Sequence, residues 1–369
     1  MKKLFVALAL ILSGLAAMSQ KVQLKPVFDV NEYIDMLGII ARQVDTPWTD
    51  VKIPLNDKYQ FDYRSGVFGF DNRWDLWISS DSVLVIDMHA TTGSTESWLE
   101  NFYAAMAPAS GSWQVSPEKL FIYKLARDER AAVHTGWLST LAFMGDDILH
   151  KLDSCIKLGY RDLIVTGHSQ GGAIAYLCTS WLRHKQLDGK FPADFRIKTY
   201  CSAAPKPGNL YYAYDYERIT ATGWAYNVVN PYDWIPETPF TVQATTDFSP
   251  GNPFTHARKT IKKQSFPANI IMNHVYQRVN KPLNRTVRRF NHFLGKKVQR
   301  ISQKRISVNP PLYDGGLNYS RTGNFIVLDA DSAYLDRYGR GEVRTFAHHM
   351  LGPYYYLAKQ LRQKGILNK

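Results

Sequence analysis

Cysteine is nearly absent from this chain of 369 residues, which holds only Cys155, Cys178 and Cys201. An odd number leaves at least one thiol unpaired within the chain, and the spacing matches no zinc site, so neither a disulfide framework nor a zinc module holds this fold. All three sit in apolar surroundings, where a free cysteine acts as a small hydrophobe. Hydrophobic runs of membrane-spanning length are missing too. The stretch Leu4 to Ala17 is mostly apolar but has fourteen residues, short of the ~20 that a spanning helix needs. It follows Lys2 and Lys3 and precedes the small-residue pattern Ala17-Met18-Ser19, so residues 1–19 read as an export signal cut near Gln20. No cysteine stands near that cut to carry a lipid. A soluble periplasmic or extracellular protein is expected. Internal repeats and low-complexity tracts are absent as well.

Acidic residues are missing from one long segment. From Arg258 to Arg305 stand fourteen Lys or Arg residues and no Asp or Glu, while the whole chain carries 45 basic and 32 acidic residues. The net charge of +13 is therefore local to this segment. Within it Leu283, Val287, Phe290, Leu294, Val298 and Ile301 recur at steps of three and four, the period of a helix. Pro282 divides this pattern from an earlier one at Asn269 to Val279, which predicts a basic helical hairpin inserted at about 250–310. Such a hairpin is either a solvated decoration, a site for an acidic polymer, or an interfacial element that meets anionic headgroups. Export disfavours nucleic acid as the partner, and an anionic membrane surface fits better.

Asp29 to Arg42 reads as an amphipathic helix. Strand-like runs follow at Val83–Met88, Leu163–Thr166, Ile197–Cys201, Ala225–Val229 and Asn324–Leu328. Helical patterns lie between and after them at Trp98–Met106, Trp137–Leu158, Ala173–Leu187 and Tyr354–Leu361. Alternating strands and helices predict one α/β domain over residues 20–369, with a mostly parallel central sheet flanked by helices.

The run "LIVTGHSQGG", residues 163 to 172, ends an apolar strand in Gly-Xaa-Ser-Xaa-Gly. That pattern makes a sharp strand-to-helix turn exposing Ser169. A serine hydroxyl needs a histidine to take its proton, and the histidine needs a carboxylate to fix its tautomer. In chain order after the serine, "YNVVNPYDWIPETP" places Asp233 in a proline-held loop beyond a strand. "FAHHMLGPYYY" then offers His348 and His349 ahead of the last helix. A tetrahedral intermediate also needs two donors aimed at its oxyanion. The backbone N–H of Gln170 is one candidate, and the loop "MHATTGST" brings Thr91 as the other.

These segments together resemble the class 3, fungal-type triacylglycerol lipases of the α/β-hydrolase superfamily, over roughly Val83 to Leu361. "GHSQGG" is similar to the family's Gly-His-Ser-Leu-Gly-Gly, and "VHTGW" (133–137) to its Val-His-Xaa-Gly-Phe. "AAPKPGN" (203–209) resembles Ala-Pro-Arg-Xaa-Gly-Asn, and "NPYDWIP" resembles the family's acid loop. "HAT" stands where the family has Arg-Gly-Thr or Arg-Gly-Ser, which makes Thr91 the oxyanion residue, although His89 and Ala90 replace Arg-Gly. Gln170 replaces the usual leucine. Many members place the triad histidine five residues before a tyrosine, which favours His349, with Tyr354, over His348. The family's lid implies a role for Trp98, Leu99 and Phe102 after the oxyanion loop. An ordinary core-facing helix would show the same spacing. His89, His134 and His168 read as structural supports.

The resemblance implies a serine ester hydrolase that needs no metal or organic cofactor, acting on acylglycerols or phospholipids. A phospholipase A1 or a general carboxylesterase is the nearest alternative. Of a different class is a non-enzymatic envelope- or membrane-binding protein on a hydrolase scaffold, since fold does not dictate function.

Overall fold

The computed structural model of the protein describes residues 24–43, 51–340 and 345–365, so the expected export signal lies outside the described residues. The β-propensity of the Val/Ile/Leu-rich runs is realised in a seven-stranded sheet. Its strands are β1 (Tyr59–Arg64), β2 (Trp74–Ser79), β3 (Val83–Met88), β4 (Asp162–His168), β5 (Arg196–Ser202), β6 (Ala225–Val229) and β7 (Asn324–Val327), side by side in chain order. β1 with β2 and β2 with β3 pair antiparallel, and every later pairing is parallel. Parallel strands need crossovers that cover both faces, so their residues are apolar on both sides. β3 and β4 are accordingly buried along their whole length.

Alternation along the strands feeds two cores. Leu84, Ile86, Leu163 and Val165 point to one face, where α3 (Thr135–Lys157) and α4 (Gln170–Leu187) pack with Trp137, Leu141, Ile174 and Trp181. Val83, Val85 and Ile164 point to the other, against α1 (Val30–Ile40) and a C-terminal helix (Leu351–Lys364) that brings Tyr354 and Leu357. Each fully buried side chain of this size contributes about 1.5–3 kcal/mol. This is the expected α/β arrangement, a mostly parallel central sheet flanked by helices. All three cysteines are free and buried. Among the described residues no helix is long and apolar enough to cross a membrane.

Three expectations need correction. The helix expected at Trp98–Met106 is α2 (Thr95–Phe102), which starts earlier because the Ser94 side chain caps it by accepting from Ser97 N–H. Its end comes sooner because Met106 opens a short strand, Met106–Pro108. The sheet also extends beyond the expected strands through β1 and β2. Neither shows a plain apolar run: β1 is largely solvent-facing, and β2 carries the buried, polar Asp75 as its second residue.

The third correction concerns the basic hairpin, which is one helical rod over residues 268–306. It runs as α-helix through Ala268–Phe290, widens to a π-helical stretch at Asn291–Lys297, and resumes at Val298–Ile306. Pro282 lies inside it. A proline here removes one N–H and crowds the carbonyl one turn back. Pro282 and Arg278 both lie on the exposed side of the rod, where solvent is at hand for polar groups. The wide turn brings Leu294 C=O within reach of Ala105 N–H (3.3 Å). Gly295 permits the approach, because a Cβ there would stand 3.0 Å from the Ala105 Cβ. Replacing Pro282 with alanine returns an N–H to the rod, a change worth about 3 kcal/mol in a helix interior. Slower amide hydrogen exchange around residues 278–286 in Pro282→Ala is the expected outcome; unchanged exchange there would argue against a continuous rod.

Candidate active site

The turn between β4 and α4 holds Ser169 at φ 58°, ψ −125°, a strained backbone for a residue with a side chain. The turn is this tight because two glycines allow it. A Cβ on Gly171 would lie 2.1 Å from Met88 C=O, and one on Gly167 would lie 2.4 Å from the Gly171 backbone. Ser169 N–H donates to Ser202 C=O on the neighbouring strand (2.9 Å), which fixes the turn against the sheet.

The three groups expected to act together meet. Ser169 Oγ is 2.8 Å from His349 Nε2, and His349 Nδ1 is 2.7 Å from Asp233 Oδ2. Asp233 is buried, and it also accepts from the Tyr354 hydroxyl (2.8 Å) and from Ile235 N–H (3.0 Å). Burial and the charge of Asp233 hold the Tyr354 phenol protonated, so it stays a donor. His349 Nδ1 therefore carries the hydrogen shared with Asp233, and its Nε2 is left to accept from the serine. His348 turns away. Its Nδ1 pairs with the Tyr334 hydroxyl (2.6 Å), its carbonyl accepts from Asn230 Nδ2 (3.0 Å), and burial lowers its pKa.

The other histidines support backbone. His168 Nε2 donates to His349 C=O (2.7 Å), and its Nδ1 faces Ser202 Oγ (3.1 Å), which in turn meets the Tyr33 hydroxyl (2.8 Å). Burial, then the neighbouring His349, depress its pKa far below the ordinary value and keep it neutral. His134 caps α3 and reaches Asn101 C=O (3.2 Å), with its pKa brought down to about 3 by burial.

Thr91 and Gln170 come together on the far side of the serine, where the Thr91 hydroxyl donates to Gln170 Oε1 (2.6 Å). The loop before Thr91 lacks Arg-Gly and is anchored by other residues. Gln43 donates to Asp87 Oδ1 (2.9 Å) and Met88 C=O (3.0 Å) and accepts from Ala90 N–H (3.0 Å). The His89 ring lies 3.1 Å from Asp75, which also takes a forked pair of bonds from Arg64. Gln43, Asn72, Glu100 and Asn101 belong to no motif, and sequence reasoning misses them as site residues. A polar residue amid an apolar pattern is their only signal.

Ser169, His349, Thr91 and Gln170 open onto a cavity of about 560 Å³ with mostly aromatic and aliphatic walls. Trp98 and Phe102 of α2 line it, whereas Leu99 packs into the core. Phe290 and Leu294 of the long rod line it from the other side. α2 is tied to the end of that rod by the Arg305–Glu96 ion pair (2.5 Å). No cluster of side chains suited to a metal ion occurs among the described residues.

Residues 85–243 match the family described as lipase (class 3). The match is to a family of lipases and takes in under half of the chain. Solved structures similar to the chain include the Rhizomucor miehei lipase propeptide complex, at 18% identity over 57% of this chain and 62% of that one, with a TM-score of 0.42. Lipase II from Rhizopus niveus is similar at 20% identity over 57% and 74%, TM-score 0.42. Lip2 lipase from Yarrowia lipolytica matches at 20% over 59% and 79%, TM-score 0.41. The alignment thus spans less than two thirds of the Rhizomucor chain. The comparison with curated proteins gave no match. The matched segment includes Thr91, Ser169 and Asp233, while His349 lies beyond it.

Glu100 of α2 is fully buried among Asn72, Thr140 and Gln170, and burial pushes its pKa up to about 8 against hydrogen bonds from Thr140 and Asn72. The folded protein therefore binds one more proton than the unfolded chain between the ordinary carboxylate range and about pH 8. Stability from this group is full below that window and lost as pH rises through it, by at most about 1.4 kcal/mol per pH unit. Denaturant unfolding at pH 5.5, 7 and 8.5 checks this: Glu100→Gln is expected to remove that part of the decline. Parallel curves for the two proteins would contradict it.

Proposed function

We propose that the protein is an exported serine ester hydrolase that cleaves fatty-acyl esters of acylglycerols or phospholipids. The observation that carries this reading is the unbroken hydrogen-bonded line Ser169–His349–Asp233 beside a large apolar cavity. In the reaction Ser169 Oγ attacks the ester carbonyl while His349 Nε2 takes its proton. The oxyanion so formed is met by the backbone N–H groups of Thr91 and Gln170. The N–H of Gln170, first residue of α4, has no partner within the helix. His349 then protonates the departing alcohol, leaving an acyl-enzyme. Water, deprotonated by the same imidazole, releases the fatty acid. Asp233 keeps the imidazole oriented and stabilises its charged form, and Tyr354 holds Asp233. Export rests on the sequence of residues 1–19.

Hydrolysis of a p-nitrophenyl ester series from acetate to palmitate tests this. Activity is expected to rise with chain length and to fall by at least about 10⁴-fold in Ser169→Ala, with the variant still folded. Turnover that survives in Ser169→Ala sinks the mechanism. Turnover restricted to acetate sinks the fatty-acyl assignment.

The partner surface belongs to the same reading. The first turns of the long rod leave Ile270, Ile271, Met272, Val275 and Val279 exposed, close in sequence to the exposed Phe254 and Phe266. Arg258, Lys259, Lys262 and Lys263 accompany them with no acidic residue in the segment. Apolar side chains flanked by unopposed positive charge suit the boundary of an anionic bilayer, and the same rod supplies Phe290 and Leu294 to the cavity. Each cation near such a surface contributes about 1 kcal/mol. Changing these four to glutamine is therefore expected to weaken binding to phosphatidylglycerol vesicles by about a hundredfold or more, with phosphatidylcholine binding little altered. Equal binding of both proteins to both vesicles ends the assignment.

A further inference from the structure

Gln170 enters this chemistry through its backbone, but its side chain is the most completely engaged group in the site. A carboxamide has two N–H donors and two acceptor positions. Here Nε2 donates to Asn72 Oδ1 (3.1 Å) and to Glu100 Oε2, and Oε1 accepts from the Thr91 hydroxyl (2.6 Å) and from Asn101 Nδ2 (2.9 Å). All four positions are used, and Gln170, Glu100 and Asn72 are buried. Turned through 180°, the amide would set its donors against the Asn101 donor and its oxygen against two oxygens. One orientation is possible.

The orientation is rooted at Glu100. Its Oε2 accepts from Asn72 Nδ2 (2.6 Å) as well as from Gln170, and its Oε1 meets the Thr140 hydroxyl (2.5 Å). Placing a proton on Oε1 reverses the Thr140 bond alone, so Gln170 is directed the same way by the acid and by the carboxylate. Thr91 stands at the other end. Its oxygen accepts from Asn101 Nδ2 (3.0 Å), and its hydrogen is committed to Gln170. Asn101 is held in turn by Trp137 Nε1 (3.1 Å).

We propose that the Gln170 carboxamide, braced by Glu100 and Asn72, fixes Thr91 at the oxyanion site, which makes Gln170 and Glu100 positioning residues for ester cleavage. The proposal rests on the serine-hydrolase reading above. It gives the leucine-to-glutamine departure at position 170 a purpose, because the Thr91 hydroxyl is spent on holding the loop while the two backbone N–H groups receive the oxyanion. A network that merely filled the core would affect stability, whereas a positioning network acts on the transition state and leaves ground-state binding alone.

The test compares wild type with Gln170→Leu, Gln170→Met, Glu100→Leu and Glu100→Gln. It reads kcat and KM on a long-chain p-nitrophenyl ester, inhibition by an alkyl boronic acid that forms a tetrahedral serine adduct, and Tm. Loss of a full oxyanion donor costs about 10²–10³ in kcat, so loss of its alignment is expected to cost about tenfold or more. Gln170→Leu, Gln170→Met and Glu100→Leu should show that loss with KM nearly unchanged and boronate affinity falling in step. Glu100→Gln, with its amide oxygen toward Gln170, repeats the hydrogen-bond pattern of the protonated acid and should restore kcat. Folded Gln170 variants with wild-type kcat, or with effects confined to Tm, overturn the proposal. If Glu100→Leu does not fold, the two Gln170 variants and the Glu100→Gln rescue decide. A wild type without Ser169-dependent turnover overturns the functional reading as well, whereas an active wild type with unaffected variants overturns this inference alone.

Discussion

The close passage of α4 beneath the loop that follows β3 is the constraint on which the site depends. Gly171 sits so near Met88 C=O that no side chain fits between them. That proximity puts the first N–H of α4 and the Thr91 loop on the same side of Ser169. It also forces the serine into a backbone conformation that costs about 1–3 kcal/mol. The sheet absorbs this cost through the buried pairing of β4 with β3 and β5. A strained nucleophile is thus tolerated because the strands on either side are held along their whole length.

Around that turn the protein limits charge. His134 and His168 are neutral through burial, and Tyr354 keeps its proton beside Asp233. Asp233 is left as the carboxylate closest to His349, with donors from Tyr354 and Ile235 already in place. Such fixed donors need no rearrangement as the imidazole becomes charged, which is how preorganised dipoles act in a dry site. The Tyr33–Ser202–His168 chain extends the same scheme to α1, so a helix on the opposite face of the sheet helps to hold the histidine backbone.

Much of this is readable from local patterns. β3 and β6 fall where their apolar runs do, and the order Ser169, Asp233, histidine follows from motifs that need only short-range signals. The resemblance to class 3 lipases favours His349 over His348 through Tyr354, five residues on, and in the structure that tyrosine donates to Asp233. What stays hidden depends on single polar residues far apart in the chain. Gln170 and Asn72 are 98 residues apart, and Glu100 looks like any outward glutamate of an amphipathic helix. Neither period nor motif reports such a meeting. Pro282 misleads for a different reason: a proline's cost in a helix is local and falls to a tolerable level where solvent meets the freed carbonyl.

The serine and its histidine lie 180 residues apart, and the histidine stands just before the helix that packs against α1. Synthesis delivers Thr91, Ser169, Gln170 and Asp233 before His349 exists. Until then the Ser169 hydroxyl has no imidazole beside it, and the cavity lacks the wall that Phe346 and Met350 give it. The segment around His349 is held in place by the last helix, which packs against α1. Under the ester-hydrolase reading proposed above, the order in which the chain is laid down acts as a built-in delay.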